Sequence, residues 1–395
     1  MPVTSRQRHA TRLHGIPPTI FSQMSALAAR TGAVNLGQGF PDVDGPPAVI
    51  AQAVAALRGG ANQYAPGPGV PALRAAIARH QRRHYGIDLD PDTEVVVTTG
   101  CTEGIAAALL GLVDPGDEVV VLEPYYDSYL AMIQMAGGVR RPVTLRAPDF
   151  RLDVDALRAE VSPRTRLILL NSPHNPTGTV LTRAELQAVA DVAVEHDLVV
   201  VTDEVYEHLT YDDHGHVPIA TLPGMAERTL TLSSAGKSYS FTGWKVGWAT
   251  GPADLVGAVL GAKQWLTFTS GSPLQPAVAH ALDEEPDFPR RLAVELRERR
   301  DLLCAGLAAA GLDVREPEGT YFATTDTSAL GWPDGLAFCL ALPERAGVVA
   351  IPTQGFHDDA DAGRHLVRWA FCKQPEVIAE GVRRLAAADL RAGGR

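Results

Sequence analysis

Through the middle of the chain, short β-branched runs alternate with longer stretches rich in Ala, Leu, Glu and Arg. EVVVT (94–98) precedes EGIAAALLGLV (103–113), and after the turn DPGD comes EVVVL (118–122). RLILL (166–170) precedes RAELQAVADVAVEH (183–196), and LVVVT (198–202) and TLTLS (229–233) follow. Strands that are apolar on both faces and alternate with helices predict a parallel sheet covered on both sides, an α/β core. The ends of the chain differ. The segment to about Pro47 is rich in Gly and Pro, and after Pro286 a charged helical stretch leads to shorter mixed strands, TYFATT and HLVRWAFC. Residues 48–286 are therefore expected as a large domain, with 1–47 (an N-terminal arm) and 287–395 folding as one smaller domain against it.

Composition narrows the function classes. A chain of 395 residues is longer than one core usually supports, which agrees with two domains. Its 46 acidic against 35 basic residues give a net charge of -11, which opposes binding to nucleic acid phosphates. No apolar run approaches the roughly 20 residues that cross a bilayer. The start, MPVTSRQRHATRLHG, lacks the apolar stretch of a signal peptide. Cys101, Cys304, Cys339 and Cys372 are widely spaced without a C-x-x-C pair, so free thiols and a cytoplasmic location are expected.

Ligands of such sheets sit beyond the carboxyl ends of the strands, so the residues there carry the chemistry. TGCTEG (99–104) is a glycine loop entering a helix N-terminus, where free N–H groups bind phosphate. EPYYDSY (123–129) offers Tyr125 and Tyr126 as aromatic faces, and NSPHNPTG (171–178) presents Asn171 and Asn175. Asp203 and Tyr206 follow the next strand, and Ser234 and Lys237 the last, within SSAGKSYSFTGWKVGW (233–248). Each feature alone has an ordinary structural reading: a turn, a packed ring, a satisfied amide, a helix cap, a solvated lysine. Together they match the needs of pyridoxal 5′-phosphate. Its aldehyde takes a lysine amine, its pyridine nitrogen stays protonated opposite an ionised carboxylate, and its phosphate takes a helix N-terminus, hydroxyls and a cation.

The segments SSAGKSYSFTGWKVGW, NSPHNPTG, VTDEVYEHL, VNLGQGFPDVDGPP, NQYAPGPGVPALRAAIA and HLVRWAFCK together resemble the class I/II aminotransferases of fold type I. The subgroup most similar is that of the kynurenine, glutamine, methionine and actinobacterial N-succinyldiaminopimelate aminotransferases, over about Ile20 to Ala386. The resemblance implies a mostly parallel seven-stranded sheet between helices, a smaller α+β domain, and a homodimer with shared sites. It implies Lys237 as the lysine that takes the cofactor aldehyde and shuttles the proton, and Asp203 as partner of the pyridine nitrogen. Tyr206 and Asn175 would hydrogen-bond the ring oxygen, and Tyr125 would stack on the ring. Gly100, Cys101, Thr102, Ser234 and Lys245 would hold the phosphate, with Cys101 acting through its backbone, and Tyr64 would reach the phosphate of the neighbouring subunit. Arg368 would clamp the substrate carboxylate, aided by Asn175 and the backbone near Gly39. Phe21 would line the side-chain pocket with Tyr125 and Trp265.

Dicarboxylate-specific relatives place a second Arg where Leu266 stands, and no Arg occurs between Lys263 and Ala279. The expected reaction is therefore ping-pong transfer of an amino group from a non-dicarboxylate L-amino acid to a 2-oxo acid. Candidate donors are N-succinyldiaminopimelate, glutamine, methionine, kynurenine or a specialised secondary-metabolite amino acid. A β-lyase acting on cysteine conjugates is the alternative, and a cofactor-sensing regulator is less favoured. No metal is expected. His80 and His84 are four apart on a predicted helix, but no carboxylate or third His accompanies them in sequence, so they read as part of a solvated basic face.

Overall fold

The structure, a computed structural model, describes residues 10–16 and 18–393. The first nine residues of the expected arm lie outside the described residues. A seven-stranded sheet forms the centre. Its spatial order is Val95–Thr98, Gly247–Thr250, Thr229–Ser234, Val199–Asp203, Thr165–Asn171, Glu118–Glu123 and Val139–Thr144. Only Gly247–Thr250 runs antiparallel to its neighbours. Alternate residues of each strand feed opposite layers. Val119, Val121, Leu167, Leu169 and Val201 pack with Ile105, Leu109, Val256 and Val259 of two helices, Gly100–Leu112 and Ala253–Lys263. Val120, Leu122, Ile168, Leu170 and Val200 pack on the other side with Leu186 and Val189 of helix Arg183–Glu195. That helix begins at a capping box, in which Thr182 and Glu185 satisfy each other's backbone N–H groups.

The five strands expected from apolar runs are all present, each within a residue of its predicted bounds. Two others carry no such run. Val139–Thr144 reads VRRPVT and lies at the sheet edge, where charge and a proline are tolerated. Gly247–Thr250 is four residues long and starts on a glycine.

Segments from both chain ends meet outside this core. Val34–Asn35 pairs in parallel with Val348–Val349. A four-stranded antiparallel sheet carries Ile351–Pro352, Leu366–Ala370, Phe322–Asp326 and Asp313–Arg315, in that order. The carboxyl ends of the central strands share one rim: Asn171 is opposite Asp203, and Ser234 and Thr98 both flank Gly247. Gly247 is required there, because a Cβ would lie 2.6 Å from the Gly100 carbonyl carbon and 2.7 Å from the Cys101 nitrogen.

Gly247→Ala is expected to destabilise the fold by about 1–3 kcal/mol, since the Gly100–Cys101 backbone leaves no room for the added methyl group. Denaturant titration checks this: the midpoint falls with its slope unchanged, and an unaltered midpoint would show that the strand can shift freely.

Candidate active site

The rim opens into a cavity of about 290 Å³. Helix Gly100–Leu112 points its N-terminus at one end, where the first N–H groups have no carbonyl one turn back. Gly100 takes φ +71° to make the strand-to-helix turn, and a Cβ there would meet Lys245 Nζ at 2.9 Å. Lys245 itself holds a left-handed conformation (φ 53°) that turns its chain toward this end, 3.5 Å from Thr102 Oγ1. Ser234 and Thr242 add hydroxyls. Backbone donors, hydroxyls and one ammonium are the groups that a phosphate would require at this end.

Asp203 is buried at the end of the central strand. Its Oδ2 accepts from the Tyr129 hydroxyl (2.7 Å), and its Oδ1 from the Cys101 thiol and the Val205 N–H, both at 3.3 Å. Burial pushes its pKa up, and these donors pull it back. Asn171 Nδ2 donates to the Asp203 carbonyl (2.8 Å), while its Oδ1 accepts from the Asn175 N–H (2.8 Å). The burial that raises Asp203 lowers Lys237, whose pKa falls to about 8. Lys237 Nζ donates to the Tyr321 hydroxyl (2.8 Å), which in turn donates to the Gly39 carbonyl (2.6 Å). Tyr321 also meets the Tyr206 ring edge-on at 5.2 Å.

Arg368 is buried at the far end. It donates from Nη1 to Asn175 Oδ1 (2.9 Å) and from Nη2 to the Gly37 carbonyl (3.0 Å), and its guanidinium lies 3.9 Å from the Phe322 ring centre and 4.9 Å from that of Phe21. Burial lowers its pKa only to about 10, so it stays charged at neutral pH. Its Nε is buried without a partner.

Phe21, Gly39, Gly100, Cys101, Thr102, Asn175, Asp203, Tyr206, Ser234, Lys237, Lys245 and Arg368 thus line one cavity. One of the cavity expectations is corrected. Tyr125 does not face it: the ring is fully buried, and its hydroxyl donates to Asp358 Oδ1 (2.8 Å), a carboxylate also bound by Arg140. The neighbouring Tyr126, which caps helix Asp127–Ala136, is the tyrosine that lines the cavity. Beside the backbone role expected of it, Cys101 donates its thiol to Asp203 Oδ1 (3.3 Å). Tyr64 stands outside, 83% exposed and edge-on to Phe268 at 5.4 Å. Tyr129 was legible in principle, three residues after Tyr126 and so one helical turn away. Tyr321 had no local signal.

The histidine reading also changes. His80 is buried, and a third histidine, His208, brings its Nε2 to 2.8 Å from His80 Nε2.

The donor set suits pyridoxal 5′-phosphate: a phosphate receptor at one end, a lysine with a depressed pKa, a buried carboxylate held by hydrogen-bond donors, and a flat Tyr126 ring. The sheet order and this site define a fold-type I transferase that depends on that cofactor. The chain belongs to the aminotransferases of class I and II, whose family model matches residues 31–385. It is 54% identical over 387 residues to the probable N-succinyldiaminopimelate aminotransferase DapC of Mycobacterium tuberculosis, covering 95% of this chain and 97% of that protein. It is 40% identical over 375 residues to the methionine aminotransferase of Escherichia coli, covering 95% and 97%. The solved N-succinyldiaminopimelate aminotransferase from M. tuberculosis superimposes with a TM-score of 0.94 over 96% of this chain and 99% of that one. The protein is a pyridoxal-phosphate-dependent aminotransferase.

In the cofactor-free protein, acylation of Lys237 is expected to rise with pH about a midpoint near 8, because only the neutral amine reacts. Mass-spectrometric labelling against pH reads this directly. A midpoint at the ordinary lysine value of about 10.4 would mean the amine is not desolvated.

Proposed function

We propose that this enzyme transfers the amino group of a long, non-dicarboxylate L-amino acid, of the N-succinyldiaminopimelate kind, to a 2-oxo acid. The observation that carries this is the charge of the cavity: among the described lining residues the only cations are Lys237, Lys245 and Arg368. Lys245 lies at the phosphate end and Lys237 at the reacting centre, which leaves Arg368 alone for the substrate. One buried guanidinium offers paired donors to one α-carboxylate. A second carboxylate close to it would be desolvated without a partner, which costs several kcal/mol. The ring of Phe21 beside Arg368 suits methylene or aryl groups instead. The 54% identical relative from M. tuberculosis carries the name of an N-succinyldiaminopimelate aminotransferase, which supports a donor whose second charges lie far from the α-carbon.

The geometry supports the following roles. Arg368 and Asn175 hold the α-carboxylate and so orient the α-hydrogen. The cofactor, when bound, supplies the electron sink that makes that hydrogen acidic. Asp203, kept in place by Tyr129 and Cys101, holds a proton at the pyridine nitrogen. Lys237, with its lowered pKa, takes the α-proton and returns it. Tyr321 keeps the amine near Gly39 between transfers. Tyr206 and Asn175 serve the ring oxygen, Tyr126 faces the ring, and Gly100, Cys101, Thr102, Ser234 and Lys245 hold the phosphate.

A homodimer is part of the proposal. Tyr64 and Trp265, each 83% exposed, lie with the half-exposed Leu266 and Phe268 on one side of the chain, where a partner would cover them and use the Tyr64 phenol at its own phosphate end. The division near residues 47 and 286 is likewise proposed, supported by the pairing of Val34–Asn35 with Val348–Val349. A cytoplasmic location is supported by four buried free cysteines.

The substrate reading is tested by kcat/KM for N-succinyldiaminopimelate, methionine, glutamine and aspartate with a common 2-oxo acid. Aspartate is expected to be at least tenfold poorer than the best of the others, and aspartate as the best donor would overturn the reading. Sharing across the dimer is tested by mixing Lys237→Ala and Tyr64→Phe subunits. One site of a mixed dimer then carries both changes and the other neither, so activity above the parents' mean is expected. Activity that merely averages the parents would mean each site is self-contained.

A further inference from the structure

Behind the active site three imidazoles converge. His80 and His84 are four apart on one face of helix Pro71–Tyr85, and His208 lies five residues beyond the end of strand Val199–Asp203. The ring centres are 4.6 Å apart for His80 and His84, 5.0 Å for His80 and His208, and 4.8 Å for His84 and His208. One ligand nitrogen from each lies within 4.8 Å of the others. A tetrahedral ion with bonds of about 2.0–2.1 Å holds its nitrogens about 3.3 Å apart. The His80 and His208 Nε2 atoms, now 2.8 Å apart, need to part by only about half an ångström, and the exposed His84 ring is free to swing in.

The surroundings select the kind of ion. Glu207 lies next to His208 in sequence, but both of its oxygens are engaged, Oε1 by the Ser233 hydroxyl (2.6 Å) and Oε2 by the Tyr85 hydroxyl (2.7 Å). It therefore supplies negative charge nearby and no free ligand. A purely imidazole donor set suits Zn²⁺, Cu²⁺ or Ni²⁺, whereas Mg²⁺ and Ca²⁺ require oxygens. His80 Nδ1 is buried without a hydrogen-bond partner, so no acceptor fixes the ring against a small pivot. The solvent-facing side of His84 leaves room for water.

We propose that His80, His84 and His208 form a binding site for one divalent transition-metal ion, with water completing the coordination. The site is separate from the aminotransferase chemistry and rests on no part of the substrate reading. It is nevertheless joined to the active site through covalent neighbours: His208 follows Tyr206 by two residues, and Ser233, which holds Glu207, precedes Ser234. An ion here would tie helix Pro71–Tyr85 to the segment that carries Asp203 and Tyr206.

The test uses tag-free holoenzyme, stripped with a chelator and titrated by equilibrium dialysis with Zn²⁺, and separately with Mg²⁺. Binding of one Zn²⁺ per chain is expected, with no competing uptake of Mg²⁺. His84→Ala, which removes an exposed ring and leaves the buried pair intact, is expected to weaken Zn²⁺ binding at least about tenfold. Zn²⁺ should also raise the melting temperature of the wild type, and raise that of His84→Ala by less at the same concentration. No stoichiometric uptake, uptake unaltered in His84→Ala, or equal uptake of Mg²⁺ would each overturn the proposal.

Discussion

The buried guanidinium of Arg368 is the constraint around which the site is organised. It forms no ion pair with a carboxylate among the described residues, its Nε has no partner, and Nη1 and Nη2 each donate to a neutral oxygen, of Asn175 and Gly37 respectively. A desolvated charge without a counter-ion is costly. The cost is offset in part by the faces of Phe21, Phe322 and Phe356, whose ring centres lie within 5.8 Å. In making these contacts Arg368 joins three stretches far apart in the chain, so this buried guanidinium sits at the junction of the two chain ends with the core.

At the other pole, Asp203 is a buried carboxyl group whose oxygens accept hydrogen bonds from Tyr129 and Cys101. Lys237 sits in the field of both. Burial above all lowers its pKa, Arg368 and Lys245 act the same way and the Asp203 carboxyl opposes them, leaving a pKa of about 8. An amine so balanced can give and take a proton near neutral pH at little cost in either direction. Altering either pole therefore alters the lysine, even though neither touches it.

The sparing use of lysine fits this picture. The chain has four, Lys237, Lys245, Lys263 and Lys373, and arginine supplies the rest of its basic charge. Two have been described at the cavity. Lys263 is buried and donates to the carbonyls of Gly67 (3.1 Å) and Phe268 (2.9 Å), bracing the loop that displays Tyr64. Lys373 donates to the Phe40 carbonyl (2.8 Å) beside the Gly37–Gly39 turn. A flexible ammonium suits these roles, since each collects carbonyls rather than binding a planar anion.

Much of the site was readable without coordinates, because parallel-sheet chemistry falls at strand ends and apolar runs mark those ends. That rule placed Asn171, Asp203, Ser234 and the loop at Gly100, and the short motif around Lys237 placed the lysine. It did not find the edge strand Val139–Thr144 or the strand Gly247–Thr250, whose stability comes from neighbours rather than from an apolar run. Nor could it choose between Tyr125 and Tyr126, where adjacent residues on a turn face opposite ways and only Asp358, far along the chain, decides which one is drawn inward. Tyr321 and His208 were invisible for the same reason: each acts through a partner 84 or 128 residues away, Lys237 and His80 respectively. Periodicity and local motifs pointed to the α/β core and to Lys237 as the lysine for the cofactor. The side-chain partners that tune its charge, and the assembly of a third histidine beside two others, were decided by packing, because a hydrogen bond between remote segments leaves no pattern in either one.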